Sequence, residues 1–283
     1  MGWTLTTSLD DFRTAAGEFL AADPAENTVL LTILDRLARD GLHVYGDRSP
    51  VFGWWHGPDG AVAGACLRTP PYGQRLGRMP AVAAEELARR LAADGERPDT
   101  VGGEHGTALA FAAEWHRTTG IAWRLDHTER LFRLGELTPP PAPPAGRARL
   151  AAPADRETVG QWLADFCVEA ELRAPADPFA DADQRIAAET LLLWETDGRR
   201  VVALAGASPA VAGMSRIGPV YTPPADRGHG YASALTAAAT VHAQSRGADE
   251  VLLYTDLSNP VSNAIYQRLG YRPVNDAAEV AFE

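Results

Sequence analysis

Ile217-Gly218-Pro219-Val220-Tyr221-Thr222 runs into Pro223-Pro224 and then, through Arg227-Gly228-His229-Gly230-Tyr231-Ala232-Ser233, into the Ala/Leu-rich pattern Ala234-Leu235-Thr236-Ala237-Ala238-Ala239. The first run has β character, the prolines stop it and the alanine-rich run is helical, so the order predicts strand, tight turn, helix. Glycines in the turn let the backbone close up without a Cβ clash. The start of a helix leaves several N–H groups without intrahelical acceptors and carries positive partial charge, so this turn is suited to holding a diphosphate. A second apolar run, Val251-Leu252-Leu253-Tyr254-Thr255-Asp256, comes after it, and then Asn259-Pro260-Val261-Ser262-Asn263-Ala264-Ile265-Tyr266-Gln267-Arg268-Leu269-Gly270-Tyr271.

Outward from there, Arg147-Ala148-Arg149-Leu150 reads as a first strand, and Val159, Trp162, Leu163, Phe166 and Cys167 fall at helix spacing with Asp155 as a cap. Arg173 to Phe179 reads as irregular. Leu191 to Thr196 and Val201 to Gly206, joined through Asp197-Gly198, predict a hairpin with a third strand at Met214 to Thr222. Helix 230–246, strand 250–256, helix 259–269 and strand 277–282 complete a β-α-α-β-β-β-α-β-α-β unit. The first half repeats the outline. Asp10-Asp11 can cap a helix bearing Phe12, Phe19 and Leu20, a second helix spans Asn27 to Leu37, and Val51 to His56 with Ala61 to Leu67 form a hairpin. Of the paired Trp54 and Trp55, at least one is expected in the core, since neighbours on a strand face opposite ways.

An offset of 150 residues then lays Thr100-Val101 on Glu250-Val251 and Gly120 on Gly270, the mark of a duplicated unit. The same offset lays Gly77-Arg78-Met79-Pro80-Ala81-Val82 on Arg227 to Ala232. Pro80 falls where the turn needs a flexible residue with an N–H, and proline supplies neither. The run Leu137-Thr138-Pro139-Pro140-Pro141-Ala142-Pro143-Pro144-Ala145-Gly146 divides the copies and favours an extended, semi-rigid polyproline spacer.

Arg227-x-x-Gly230-x-Ala232 after a strand, with Asn259 seven residues before Tyr266 and Gly270-Tyr271 beyond, resembles the acetyl-CoA-binding core of the GNAT N-acetyltransferases. The resemblance implies an α/β (α+β) chain of two tandem GNAT-like domains, each a mixed, mostly antiparallel sheet flanked by helices. Residues 1–137 would be a degenerate copy, 138–146 the Pro-rich linker and 147–283 the acetyltransferase domain. It also implies that Val220, Tyr221 and Thr222 offer backbone groups to the pantetheine arm of acetyl-CoA. Gly228, His229, Gly230, Tyr231, Ala232 and Ser233 would meet the pyrophosphate behind Arg227 as the polar lead residue, and Asn259 would cap the next helix and touch the cofactor arm. Tyr266 would be the general acid that protonates the departing thiolate. The base stays open among Glu169, Glu171, Asp256 and a water chain. The implied activity is acetyl transfer to the primary amine of a small-molecule or peptide acceptor by direct attack in a ternary complex. A non-catalytic acyl-CoA sensor is one alternative. A Rossmann-type dinucleotide site is another, weakened because Pro223 to Asp226 separate strand from turn and Ser233 replaces the third glycine.

Composition narrows the field. The 283 residues suit two domains, and a formal charge of −11 makes nucleic acid an unexpected partner. All basic side chains other than histidine are arginines, which excludes a Schiff-base or P-loop lysine. Cys66 and Cys167 stand apart in apolar patterns, as reduced core cysteines do, and the seven histidines show no metal-ligand spacing. No stretch approaches a membrane span and no charged-then-apolar leader opens the sequence, so a cytoplasmic protein without metal or membrane partner is expected. Met1-Gly2-Trp3-Thr4-Leu5-Thr6 matches a bare myristoylation pattern, read as coincidence for want of a polybasic neighbour.

Overall fold

The computed structural model describes residues 2–172, 175 and 177–283. Contacts divide the chain into two compact units, one of Met1–Leu131, Thr255–Asn259 and Pro273–Glu283, the other of Phe132–Tyr254 and Pro260–Arg272. Each is a mixed, mostly antiparallel sheet flanked by helices.

The first unit runs β1 (Gly2–Thr6), α1 (Leu9–Ala22), α2 (Thr28–Asp40), β2 (Val51–His56), β3 (Val62–Arg68), β4 (Gln74–Leu76), α3 (Ala81–Ala93), β5 (Thr100–Glu104), α4 (His105–Thr119) and most of β6 (Trp123–Leu134). β1 to β4 pair antiparallel in order, and β4 pairs parallel with β5, Gln74 opposite Val101 and Arg75 opposite Gly102. Alternation along β2 sends Phe52 and Trp54 toward α1 and α2, where Phe12, Leu20, Leu30 and Leu37 are buried, and Trp55 toward α3 and α4, where Leu87, Phe111 and Trp115 are buried. Both tryptophans therefore serve packing, and the Trp55 indole N–H also donates to Glu86 at 2.7 Å.

The second unit runs β7 (Arg147–Leu150), α5 (Arg156–Glu169), α6 (Pro178–Ala187), β8 (Leu191–Glu195), β9 (Val201–Ala207), β10 (Met214–Tyr221), α7 (Tyr231–Ser245), β11 (Glu250–Asp256), α8 (Pro260–Arg268) and the start of β12 (Tyr271–Phe282). β7 to β10 pair antiparallel in order, and β10 pairs parallel with β11. From Pro273 onward β12 counts with the first unit, where Ala277 lies opposite Glu104 and Ala281 opposite Thr100.

The expected order of elements stands in both halves, with local corrections. β1 occupies the stretch noted only for its myristoylation pattern, and Trp3 and Leu5 pack against the α3/α4 core. α1 is capped by Ser8, whose Oγ accepts from the Asp11 N–H at 3.2 Å, so Asp10 and Asp11 lie in the first turn instead. Asp155 makes no side-chain cap; its carboxylate binds Arg149 and the Ala152 N–H. β12 starts at Tyr271, well before residue 277. Of the segment read as irregular, Arg173, Ala174 and Ala176 lie outside the described residues, whereas Pro178 and Phe179 open α6 under a cap from Asp177. Cys66 is buried, but Cys167 is only half-buried.

The proline-rich run lies along the second unit. Pro139, Pro140 and Pro143 line a shallow groove of about 240 Å³ with Trp194 and Ala234, Ala237, Ala238 and Val241 of α7. Backbone and indole donors tie its ends, Thr138 N–H to Leu269 C=O at 3.0 Å and Trp194 Nε1 to Ala145 C=O at 3.2 Å.

Candidate active site

The parallel ladder between β10 and β11 ends at Ile217 opposite Leu253. Against β9 the strand has an extra residue at this point, since Ile217 faces Ala207 but Val220 faces Ala205. A bulge of this kind turns the backbone and re-aims the residues beyond it. Gly206 makes room for it, because a Cβ there would meet Gly218 O at 2.5 Å. From Val220 on, β10 is paired on its β9 edge, and no ladder with β11 continues on the other. Peptide groups on an unpaired edge can pair an extended, amide-bearing ligand as an added strand would.

After Tyr221 a short 3₁₀ turn, Pro224–Asp226, swings the chain toward α7. It is held from beneath by Asp226, buried and paired with Arg200 at 2.7 Å. Gly228 and Gly230 both have φ +81°, and a Cβ at Gly228 would meet nothing within 4 Å. Gly230 is the N-cap residue of α7 and offers no side chain to its N–H groups. The first intrahelical bond runs from Ala234 N–H to Gly230 O at 3.1 Å. The N–H groups of Gly230, Tyr231, Ala232 and Ser233 thus have no acceptor among the described residues, at the positive end of a helix dipole. An arrangement of this kind can take an anion without a charged side chain. His229 is exposed, its ring stacked on Tyr231 at 5.6 Å and its Nδ1 lying 3.2 Å from Asp226 O.

Arg227 does not reach toward that helix start. Its Nε donates to Thr222 O at 2.9 Å, and an Nη donates to both oxygens of Glu169 at 2.8 and 2.6 Å. The pair fastens the turn to the end of α5. Tyr221 lies beside it, buried, with Trp162 at 6.1 Å between ring centroids. Burial, then the charges of Asp165 and Glu169, push its phenol above the usual range. Thr222 Oγ1 is shut off from solvent without a hydrogen-bond partner among the described residues.

Tyr266 projects from α8 into the second unit's core, 8% exposed, with Phe132 and Tyr271 rings at 6.4 and 6.2 Å. Burial alone drives its phenol up to about 12. Val220 and Tyr231 pack against the same cluster, so the strand edge, the helix start and the phenol meet at one body of side chains. Asn259 directly precedes α8, and its N–H donates to Asp256 O at 3.1 Å; by contacts its segment groups with the first unit. Of the candidate bases, Glu169 is held by Arg227, and Asp256 accepts from the Ser258 N–H at 2.7 Å. Glu171 sits in a turn at φ +53°. The Arg227–Glu169 pair was missed by sequence reasoning, since nothing in the spacing of residues 58 apart announces it.

Residues 156–271 match the model of the acetyltransferase (GNAT) family. The chain is 29% identical to a mycothiol acetyltransferase of Salinispora tropica over 283 aligned positions, covering 91% of this chain and 86% of that protein. Its fold is similar to that of a GCN5-related N-acetyltransferase from Sphaerobacter thermophilus, with a TM-score of 0.65 at 18% identity over 99% of this chain and 95% of that one. It is also similar to a tandem GNAT protein from the clavulanic acid biosynthesis pathway, with a TM-score of 0.53 at 13% identity over 99% and 98% of the two chains. Residues 156–271 form a GNAT-family acetyltransferase domain, and the chain that carries it is an N-acetyltransferase drawing on acetyl-CoA.

Proposed function

We propose that the second unit transfers the acetyl group of acetyl-CoA directly to the primary amine of a small-molecule or peptide acceptor. In this reading residues 1–137 and 147–283 are two copies of one unit, joined by 138–146, and only the second copy holds the donor. The reading rests on the row of N–H groups from Gly230 to Ser233, one short turn beyond the unpaired edge of β10. That combination fits a ligand with a diphosphate at one end and an amide-bearing arm at the other.

When bound, the donor supplies an activated acetyl thioester. Gly228 to Ser233 bind the diphosphate through backbone N–H groups, Val220 to Thr222 align the arm, and Tyr266 holds a proton at Oη for the departing sulfur. A phenol held near 12 stays protonated throughout the physiological range, the state a proton donor requires. The balance is simple. The amine attacks as the neutral base, the C–N bond forms and the C–S bond breaks. Nitrogen gives up one proton to Glu169, Glu171, Asp256 or a water chain, and sulfur gains one. Direct transfer is favoured over a cysteine relay. Burial and the neighbouring Asp181 raise the Cys167 thiol, whereas a nucleophilic thiol is lowered. Near the end of β10, Trp162 and Asp165 flank Tyr221 and bring an aromatic ring and a carboxylate suited to an incoming cationic amine.

The relatives' name makes a mycothiol-related amine the first acceptor to test. Release of free thiol from acetyl-CoA, followed across such an amine, simple amines, amino acids and peptide N-termini, should exceed thioester hydrolysis for one class. If every amine fails while acetyl-CoA still binds, the transferase reading of this site falls and acyl-CoA sensing takes its place. Among the described residues no helix is long and apolar enough to cross a membrane, and a cytoplasmic setting belongs to the same proposal.

A further inference from the structure

The first unit carries a cavity of about 480 Å³ formed by three loops: α2 to β2, β3 to β4, and α3 to β5. These loops lie at the end of the parallel β4/β5 pair where both strands begin, away from the start of α3. In the second unit the matching end is held by hydrogen bonds and an exposed ion pair. There Gly213 O accepts from the N–H groups of Asp249 and Glu250 at 2.8 and 3.0 Å, and Glu189 pairs with Arg246 at 3.0 Å.

The lining of the cavity is unusual for a chain of formal charge −11. Arg48 and Arg97 come from two of the loops and Arg68 from the end of β3. The Arg68 side chain is 8% exposed and one Nη donates to Glu96. No other hydrogen bond of that guanidinium is found among the described residues, which leaves donors for whatever enters the space it lines. Arg48 and Arg97 are exposed and form no ion pair among the described residues. Asp47 and Asp99 also line the cavity; like Arg48 and Arg97 they are exposed and screened by water, which leaves the buried Arg68 as the least screened charge of the lining. The remaining wall is ring surface: Tyr45 and Tyr72 meet edge to face at 5.8 Å, with Pro70 and Pro71 beside them. A buried, donor-rich cation under an aromatic wall matches an anionic head on a flat apolar body.

We propose that this cavity binds a small ring-bearing organic anion, a carboxylate or phosphate ester, with its oxygens on Arg68 and between Arg48 and Arg97 and its ring against Tyr72. The full chain, saturated with acetyl-CoA so that the Gly228 to Ser233 turn is filled, would be titrated calorimetrically with phenyl phosphate, benzoate and inorganic phosphate. Phenyl phosphate or benzoate should bind, and Arg48→Ala with Arg97→Ala should weaken it by about tenfold or more without changing acetyl transfer. Tyr72→Ala should weaken the ring-bearing probe and leave inorganic phosphate as it was. Arg68→Met should abolish binding; because that variant can fail to fold, the exposed Arg48/Arg97 pair carries the test alone if it must. No heat from any probe at millimolar concentration, or binding indifferent to the Arg48/Arg97 pair, overturns the proposal.

Discussion

The same step from strand to helix is built twice in this chain with very different lengths of backbone. In the first unit residues 77–80 carry the chain from β4 to α3, and in the second residues 222–230 carry it from β10 to α7. Aligned on their parallel ladders, Arg75 answers to Arg216 and Leu76 to Ile217. Beyond that point the first unit turns at once into its helix, and α2 fills the space. A Cβ at Gly77 would meet Leu30 at 2.8 Å and Asn27 Oδ1 at 2.9 Å, while that Oδ1 accepts from the Arg78 N–H, also at 2.9 Å. Pro80 stands where the second unit has Gly230. The second unit leaves its strand edge unpaired and spends the longer connection on two left-handed glycines and a bare helix start. If the donor binds as proposed, binding competence resides in a few connecting residues, while the sheet and helices around them can stay alike.

The harshest way to break this comparison is to give the second unit the first unit's connection, replacing residues 222–230 by Gly77-Arg78-Met79-Pro80. Calorimetry should find coenzyme A binding weakened by about 1,000-fold or more. Near-native affinity would mean that the longer turn is not the seat of the donor. Next in size is Tyr266→Phe, which should lower turnover by about 100-fold and leave coenzyme A affinity unchanged. The same variant tests the titration. Because the folded phenol is raised to about 12, the fold favours its neutral form. That stabilisation is complete below about pH 10 and is lost as pH climbs toward 12. Thermal unfolding over that interval should therefore weaken the parent more steeply than Tyr266→Phe.

A matched pair of glycine substitutions sharpens the contrast. Gly230→Ala places a Cβ at φ +81°, a strain of about 1–2 kcal/mol, and should weaken donor binding by about tenfold. Gly77→Ala should leave donor binding alone and lower the melting temperature, since its Cβ meets Leu30. The smallest effect is expected from Glu169→Gln. Its ion pair with Arg227 is about half exposed, so stability should change by less than about 1 kcal/mol. The donor KM should rise only a few-fold, and less at high salt.

Much of this was readable from local signals. The alternating runs, the glycines around His229 and the spacing of Asn259 to Tyr266 announced the second unit's elements in order. Gly120 ends α4 at φ +77°, as a glycine after a helical pattern should. α6 was legible too, through Asp177 and Pro178, yet the prolines nearby drew attention to irregularity instead. What stayed hidden depends on contacts distant in sequence. β4 is too short to carry a pattern, and β1 is a strand because Trp3 finds Trp55 across the ladder. Arg227 was correctly singled out as part of the turn, but its engagement with Glu169 comes from how α5 ends, which no motif encodes.

β12 carries a consequence for how the protein comes into being. Val280 is fully buried in the first unit's core, Arg75 grips Glu279, and the Phe282 N–H donates to Asp99 O at 2.9 Å. The first unit's sheet is thus completed by residues synthesised only after the donor turn. While the nascent chain is still tethered, that unit has an open seam beside β5, waiting on the whole of its sibling to be synthesised. A chain cut short after Arg272 would keep every residue of the donor turn and still leave the first unit unfinished.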